Sequence, residues 1–178
     1  MNITKTTHPD IPQLEKLINS AYRGEESKKG WTTEAYLLEG KRINADGIQK
    51  IIEESDSVIL KCCDDNNLVG CVYLKKNDNK MYLGMLTVSP TLQAGGIGKK
   101  ILKASEEYAV EKKCDTMEMR VISIRHELIA WYQRHGYYNT GKIIPFPDDP
   151  LSIKTQPLEF IVMEKSLKTS PHNHSNSL

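Results

Sequence analysis

The sequence predicts an α/β domain built on a mixed, mostly antiparallel sheet, and three observations predict it. A helical stripe opens the chain, three β-rich runs separated by turn clusters follow, and the period then alternates between strand and helix. Ile3 to Thr6 reads as a short first strand. Asp10, with Gln13 three residues on, reads as a variant capping box at a helix start. Ile11, Leu14, Leu17, Ile18 and Ala21 then recur at helical spacing. Arg23 to Gly30 is charged and bounded by glycine, hence a loop. Thr32 to Leu38 and Gly47 to Glu54 are expected to be short helical pieces.

The middle of the chain reads as a meander. Val58 to Cys63 and Leu68 to Lys75 flank Asp64-Asp65-Asn66-Asn67, and Asn77-Asp78-Asn79 precedes Lys80 to Val88. Both polar clusters are turn formers. Ile97, Ile101, Leu102, Ser105 and Ala109 mark a helix to about Lys113, and Thr116 to Ile122 returns to strand. Glu127 to His135 is a helix stopped by Gly136. A strand from Tyr137 is interrupted by the proline-rich Pro145 to Pro150, and Phe160 to Glu164 closes the order.

No repeat or linker divides the chain, so one domain over residues 1–167 is expected, with a polar tail over 168–178 too hydrophilic to order itself. The 178 residues carry 24 Lys and Arg against 23 Asp and Glu, a formal charge of +1. That balance argues against a nucleic-acid partner gripped by a broad basic face. The absence of any long apolar run argues against a membrane span. The polar start Met1 to His8 points to the cytoplasm as the default compartment. Cys62, Cys63, Cys71 and Cys114 form no C-x-x-C pair and have no histidines at zinc-ligand spacing. No metal site is expected; His172 and His174 in the tail are the remote alternative.

The stretch Leu86 to Lys100 carries the chemistry. A strand ends, Ser89-Pro90 turns, and Gly95, Gly96 and Gly98 open an amphipathic helix. Unpaired N–H groups and a partial positive charge make such a start an anion site, and glycine lets a phosphate approach the main chain. Two phosphate-binding patterns fail here. The P-loop would need glycine at Gln93 and a hydroxyl at Lys100, and the dinucleotide fingerprint would need glycine at Ile101. The pattern that fits is Q-x-x-G-x-G, with Gln93, Gly96 and Gly98 in place.

This loop resembles the pyrophosphate loop of the GNAT (N-acetyltransferase) superfamily. Leu128 to Tyr137 resembles that family's second signature, a helix with a tyrosine four residues before a glycine and then an aromatic. The likeness covers about Tyr82 to Thr140. It implies a GNAT-like α+β fold, in which helices flank a central mixed sheet and a bulged strand splays from its neighbour to bind acetyl-coenzyme A. Leu86 and Val88 match the positions whose main chain pairs with the pantetheine arm, and the amides of Gln93, Ala94, Gly95, Gly96, Ile97, Gly98 and Lys99 would take the pyrophosphate. The implied reaction is direct attack of a neutral amine on the thioester, with Val88 N–H facing the thioester oxygen and Tyr132 returning a proton to the thiolate. Trp131 and Tyr137 read as packing residues. His126 stands about where the family often carries asparagine.

Neither Glu118 nor Glu34 is assigned as base, since each also reads as a surface charge. The segment between the first helix and the meander walls the acceptor pocket in this superfamily. Here Trp31 is expected as a wall, Glu34 as a receiver of an ammonium and Arg42 as a carboxylate ligand. Each also has a plainer reading, Trp31 in the core and the two charges facing water or each other. Pro145-Phe146-Pro147 is expected to close the pocket's other side. A small-molecule amine acetyltransferase leads, with room for a homodimer. A coenzyme A-binding module without turnover and a peptide or protein N-acetyltransferase are the alternatives.

Overall fold

Nine strands and five helices follow one another along residues 1–168, the part of the chain that this computed structural model describes. The predicted polar tail lies, apart from Lys168, outside the described residues. The order is β1 (Asn2–Lys5), α1 (Ile11–Tyr22), α2 (Gly24–Ser27), β2 (Leu38–Gly40), α3 (Ala45–Glu53), β3 (Ser57–Asp64), β4 (Asn67–Asn77) and β5 (Lys80–Val88). Then come α4 (Ile97–Glu111), β6 (Thr116–Ile122), α5 (His126–Arg134), β7 (Tyr138–Pro145), β8 (Ser152–Lys154) and β9 (Glu159–Ser166). Seven strands form one sheet in the order β1-β3-β4-β5-β6-β9-β7. Every pairing in it is antiparallel except β5 with β6. The two turns of the meander place Asp65 and Asp78 at φ 52°, a region that aspartate tolerates better than most residues.

Strand alternation divides the core between the two faces of the sheet. Leu60, Val72, Leu74, Met81 and Leu83 pack with Ile97, Ile101 and Tyr132 under α4 and α5. Ile59 and Cys71 turn the other way and join Leu14, Ile18 and Ile48 under α1 and α3. β5 breaks this parity. Met81 and Leu83 face α4, yet Met85, two residues further, packs on the α1 side, and Val88 faces α4 again. The register with β4 jumps here, from Tyr73↔Gly84 to Cys71↔Thr87, and Met85 adopts φ 48°. This is a β-bulge, and it re-aims the end of β5.

Three local expectations are corrected. Asp10 does not cap α1 through its side chain. It belongs to a preceding 3-10 turn and accepts the Thr7 N–H at 2.8 Å. The expected loop at Arg23 to Gly30 contains the single helical turn α2. Thr32 to Leu38 is not helical: it runs through turns into β2, which pairs with β8 as a separate two-stranded ribbon. Three-residue strands with a partner more than a hundred positions away leave no periodic signal in a sequence. No helix among the described residues is long and apolar enough to cross a membrane.

Asn19 on α1 anchors the chain that leads into α3. Its Nδ2 donates to Glu15 O (2.9 Å) and Ile43 O (2.8 Å), while Oδ1 accepts Arg42 N–H (2.7 Å) and Ile43 N–H (3.4 Å). Removing it strands partly buried main-chain groups, so Asn19→Ala is expected to cost about 2–3 kcal/mol. Urea unfolding should show a lowered midpoint with an unchanged slope; an unchanged midpoint would mean water replaces the amide without loss.

Candidate active site

β5 and β6 are hydrogen-bonded partners only from Lys80↔Thr116 to Leu83↔Met119. Beyond that point β6 stays with β9 as far as Ile122↔Phe160, while bulged β5 stays with β4 as far as Val88↔Gly70. The two strands therefore splay, and main-chain groups on their facing edges lose their sheet partners. Thr87 Oγ1 secures the bulge by donating to Met85 O at 2.8 Å. Ser89 N–H bonds Val69 O at 2.9 Å. By ladder alternation, the N–H of Val88 then points away from β4, towards the gap. Leu86 O already has one partner, the Tyr22 hydroxyl at 2.5 Å. Burial, then the negative charge of Glu34, pushes the Tyr22 phenol up to about 12.

The gap opens into a cleft of about 650 Å³. Leu86 and Val88 line one wall, together with the start of α4. Gly96 takes the N-cap at φ 80° with no side chain capping the helix. Lys100 N–H to Gly96 O, 3.1 Å, is the first ladder bond of α4, so the N–H groups of Ile97, Gly98 and Lys99 precede the ladder. An added Cβ would meet nothing within 4 Å at Gly96 and nothing closer than 3.6 Å at Gly98. A cradle of bare amides beside open space fits a phosphate-bearing ligand. Ala94, Gly96, Ile97, Gly98 and Lys99 line the cleft; Gly95 does not. Gln93 also lines the cleft, and its side chain bonds the main chain of Trp31 and Thr32 in the facing wall.

Tyr132 on α5 reaches the cleft from the opposite wall and is buried. Desolvation raises its phenol well above the usual tyrosine range; the nearby Tyr22 adds to this and Arg125 opposes it. Trp131 beside it lines the cleft and makes an edge contact with the Tyr132 ring, centroids 5.0 Å apart. It is thus part of the wall as well as of the packing. Tyr137 packs on Tyr132 from behind at 5.7 Å and donates to Glu106 at 3.0 Å.

These features decide the family. Residues 11–137 match the Acetyltransferase (GNAT) family. The chain belongs to that family. A Dictyostelium discoideum protein, N-alpha-acetyltransferase 30, is 29% identical over 86 residues, which is 46% of this chain and 46% of that protein. The chain thus spans under half the length of the curated relative it matches. Solved structures share the fold, among them two N-acetyltransferases. The ribosomal-protein-alanine N-acetyltransferase from Brucella melitensis has a TM-score of 0.70 at 18% identity, covering 93% of this chain and 99% of that one. The PaiA N-acetyltransferase from Thermoplasma acidophilum, in complex with coenzyme A, has a TM-score of 0.64 at 21% identity, covering 93% and 98%.

Around this GNAT cleft, the acceptor-side residues are arranged differently from expectation. Trp31 lines the cleft, but Glu34 is buried with both carboxylate oxygens taken, by Arg23 and by Arg125 Nη1 at 3.0 Å. Glu34 does not line the cleft where an ammonium would have to reach it. Arg42 is held by its N–H to Asn19, and its guanidinium lies over the Tyr22 ring at 5.8 Å, outside the cleft wall. Glu118 bonds Lys80 at 3.3 Å in a network with Glu164. Phe146 stacks on Phe160 at 4.7 Å, and Phe146 and Pro147 line a separate cavity of about 310 Å³ beside β8 rather than the main cleft. Arg125 and Tyr22 are among the wall residues that the sequence does not announce. Arg125 sits at the N-cap of α5, where the helix dipole disfavours a cation, and that misplacement was the available signal. Its Nη2 also donates to Thr32 O at 2.6 Å.

Glu34 therefore serves two guanidiniums in a nearly dry site, and the cluster of three keeps one net positive charge. Glu34→Ala leaves both without their carboxylate and is expected to cost about 3–5 kcal/mol. Glu26→Ala, which breaks the exposed pair with Lys29, should leave the unfolding midpoint almost unmoved. Equal midpoints for the two variants would show that the buried pair is solvated on truncation.

Proposed function

We propose that the chain is an acetyl-coenzyme A-dependent N-acetyltransferase whose acceptor is the primary amine of a small molecule. The observation that carries the reading is one cleft bounded by both the open edge of β5 and the unladdered amides at the start of α4. The cofactor supplies the acetyl group as an activated thioester. Leu86 and Val88 would hold the pantetheine arm through their main chain, as a replacement strand. Ile97, Gly98 and Lys99 would donate to the diphosphate.

The remaining steps fall to side chains and one amide of this chain. Val88 N–H, facing the gap, is suited to receive the charge that develops on the thioester oxygen. Tyr132, protonated at every working pH because burial raises its phenol, is suited to hand a proton to the departing sulfur. The same desolvation raises the thiolate's own affinity for a proton, which narrows the mismatch between the two groups. No base is assigned, because Glu34 and Glu118 are both engaged elsewhere. The amine would enter neutral, which the positive Arg125 in the wall favours over an ammonium.

The small-molecule acceptor is supported by the β2–β8 ribbon. Lys41 N–H to Leu151 O (2.8 Å) and Thr155 N–H to Leu37 O (3.0 Å) extend its pairing. The chain after Glu34 is thereby tied to the connection between β7 and β9, which hinders an extended polypeptide from lying between them. A second reading, transfer to a protein N-terminus, is favoured by the likeness to N-alpha-acetyltransferase 30.

Thiol release from acetyl-coenzyme A over a panel of small amines, amino acids and short peptides tests both readings. Turnover on small amines is expected; turnover on peptides alone would transfer the assignment to the second reading. On the best acceptor, Tyr132→Phe should lower kcat by about 10²-fold or more. Its coenzyme A affinity should stay within roughly threefold, since the phenol is asked to act only in the reaction. An unchanged kcat would remove Tyr132 as the acid.

A further inference from the structure

The segment after α2 reaches further across the cleft than an acceptor wall requires. The Trp31 indole stands 6.4 Å, centroid to centroid, from that of Trp131 on α5. Trp131 in turn lies 3.6 Å from the place a Cβ would occupy on Gly98, in the first turn of α4. Residues 30–32 thus form a strap that extends to the cofactor side of the cleft. What holds the strap is Gln93, whose backbone belongs to the connection between β5 and α4.

The Gln93 amide is fully committed. Oε1 accepts Trp31 N–H at 2.8 Å and Thr32 N–H at 3.3 Å. Nε2 donates to Thr32 Oγ1 at 2.7 Å and to Val88 O at 3.1 Å. A primary amide offers two acceptor sites and two donors, and all four are used. None is left for a ligand, so the side chain serves as a connector. The approach is close: a Cβ on Gly30 would stand 2.5 Å from Gln93 Oε1. Arg125 Nη2 holds the far side of the strap through Thr32 O at 2.6 Å.

We infer that Gln93 is a positioning residue that couples the phosphate-binding loop to the Trp31–Thr32 strap, so that a ligand seated on the loop fixes the strap across the slot. This rests on the reading that the loop receives coenzyme A. A rigid bracket with one end in the loop and the other on two strap amides passes any ordering of the loop directly to those amides. Loops and straps of this kind otherwise open independently.

Amide hydrogen exchange with coenzyme A as the probe tests the coupling. In the unmodified protein, saturating coenzyme A is expected to slow exchange at residues 94–99 and, with them, at Trp31 and Thr32. In Gln93→Ala the loop should remain protected while the slowing at Trp31 and Thr32 falls by roughly tenfold, as loss of both amide bonds implies. Gly30→Ala, whose Cβ would push against the Gln93 side chain and not against residues 94–99, should do the same. Loop protection without any effect on the strap in the unmodified protein would overturn the coupling and leave the cofactor reading intact. So would full strap slowing in Gln93→Ala or Gly30→Ala. Absence of protection throughout residues 86–99 would refute the cofactor reading itself.

Discussion

Past Leu83 the parallel ladder between β5 and β6 stops, and main-chain donors and acceptors that a sheet would normally pair are left facing a gap. Buried backbone groups do not stay unpaired without cost. Here the cost is met in part by the protein, through Tyr22 on Leu86 O, and the proposed pantetheine arm would meet the rest. The bulge at Met85 creates this arrangement. It reverses the facing of the residues that follow, keeps Met85 in the core under α1, and aims Val88 N–H away from β4. Everything else in the cleft is placed relative to that bent strand end: the glycine-bearing loop follows it, α4 starts from the loop, and α5 brings Tyr132 to the other wall.

Electrostatics complement the geometry. Near the cleft the described carboxylate most deeply buried is Glu34, and two arginines consume it. The wall itself carries Lys99, Arg125 and Arg134 against Glu127, a balance suited to an anionic ligand such as a diphosphate ester. Glu34, expected as a receiver of an ammonium, is instead paired with Arg23 and Arg125 and does not line the cleft. A guanidinium at the N-cap of α5 would be unfavourable alone, and Glu34 compensates it from the neighbouring segment.

Much of this could be read from the residues. The Gly96-Ile97-Gly98 helix start and the tyrosine before Gly136 were legible because they express local rules, close backbone approach and helical spacing, that a short window contains. The meander was legible for the same reason, its turns being written in Asp and Asn. What escaped was set by long-range pairing. Arg23, Glu34 and Arg125 look like solvated charges until the fold brings them together over about a hundred residues. The bonds of the Gln93 side chain to Trp31 and Thr32, some sixty residues away, likewise leave no local signal. The β2–β8 ribbon is too short to signal itself.

The central claim is that the open edge of β5 and the bare start of α4 accept one extended, diphosphate-bearing ligand. A crystal structure with coenzyme A tests it most directly. The account predicts amide groups of the pantetheine arm within about 3.2 Å of the main chain at Leu86 or Val88, and diphosphate oxygens at the same range from N–H groups of residues 94–99. Coenzyme A bound elsewhere, or a cleft in which β5 and β6 continue to pair beyond Leu83, would contradict it.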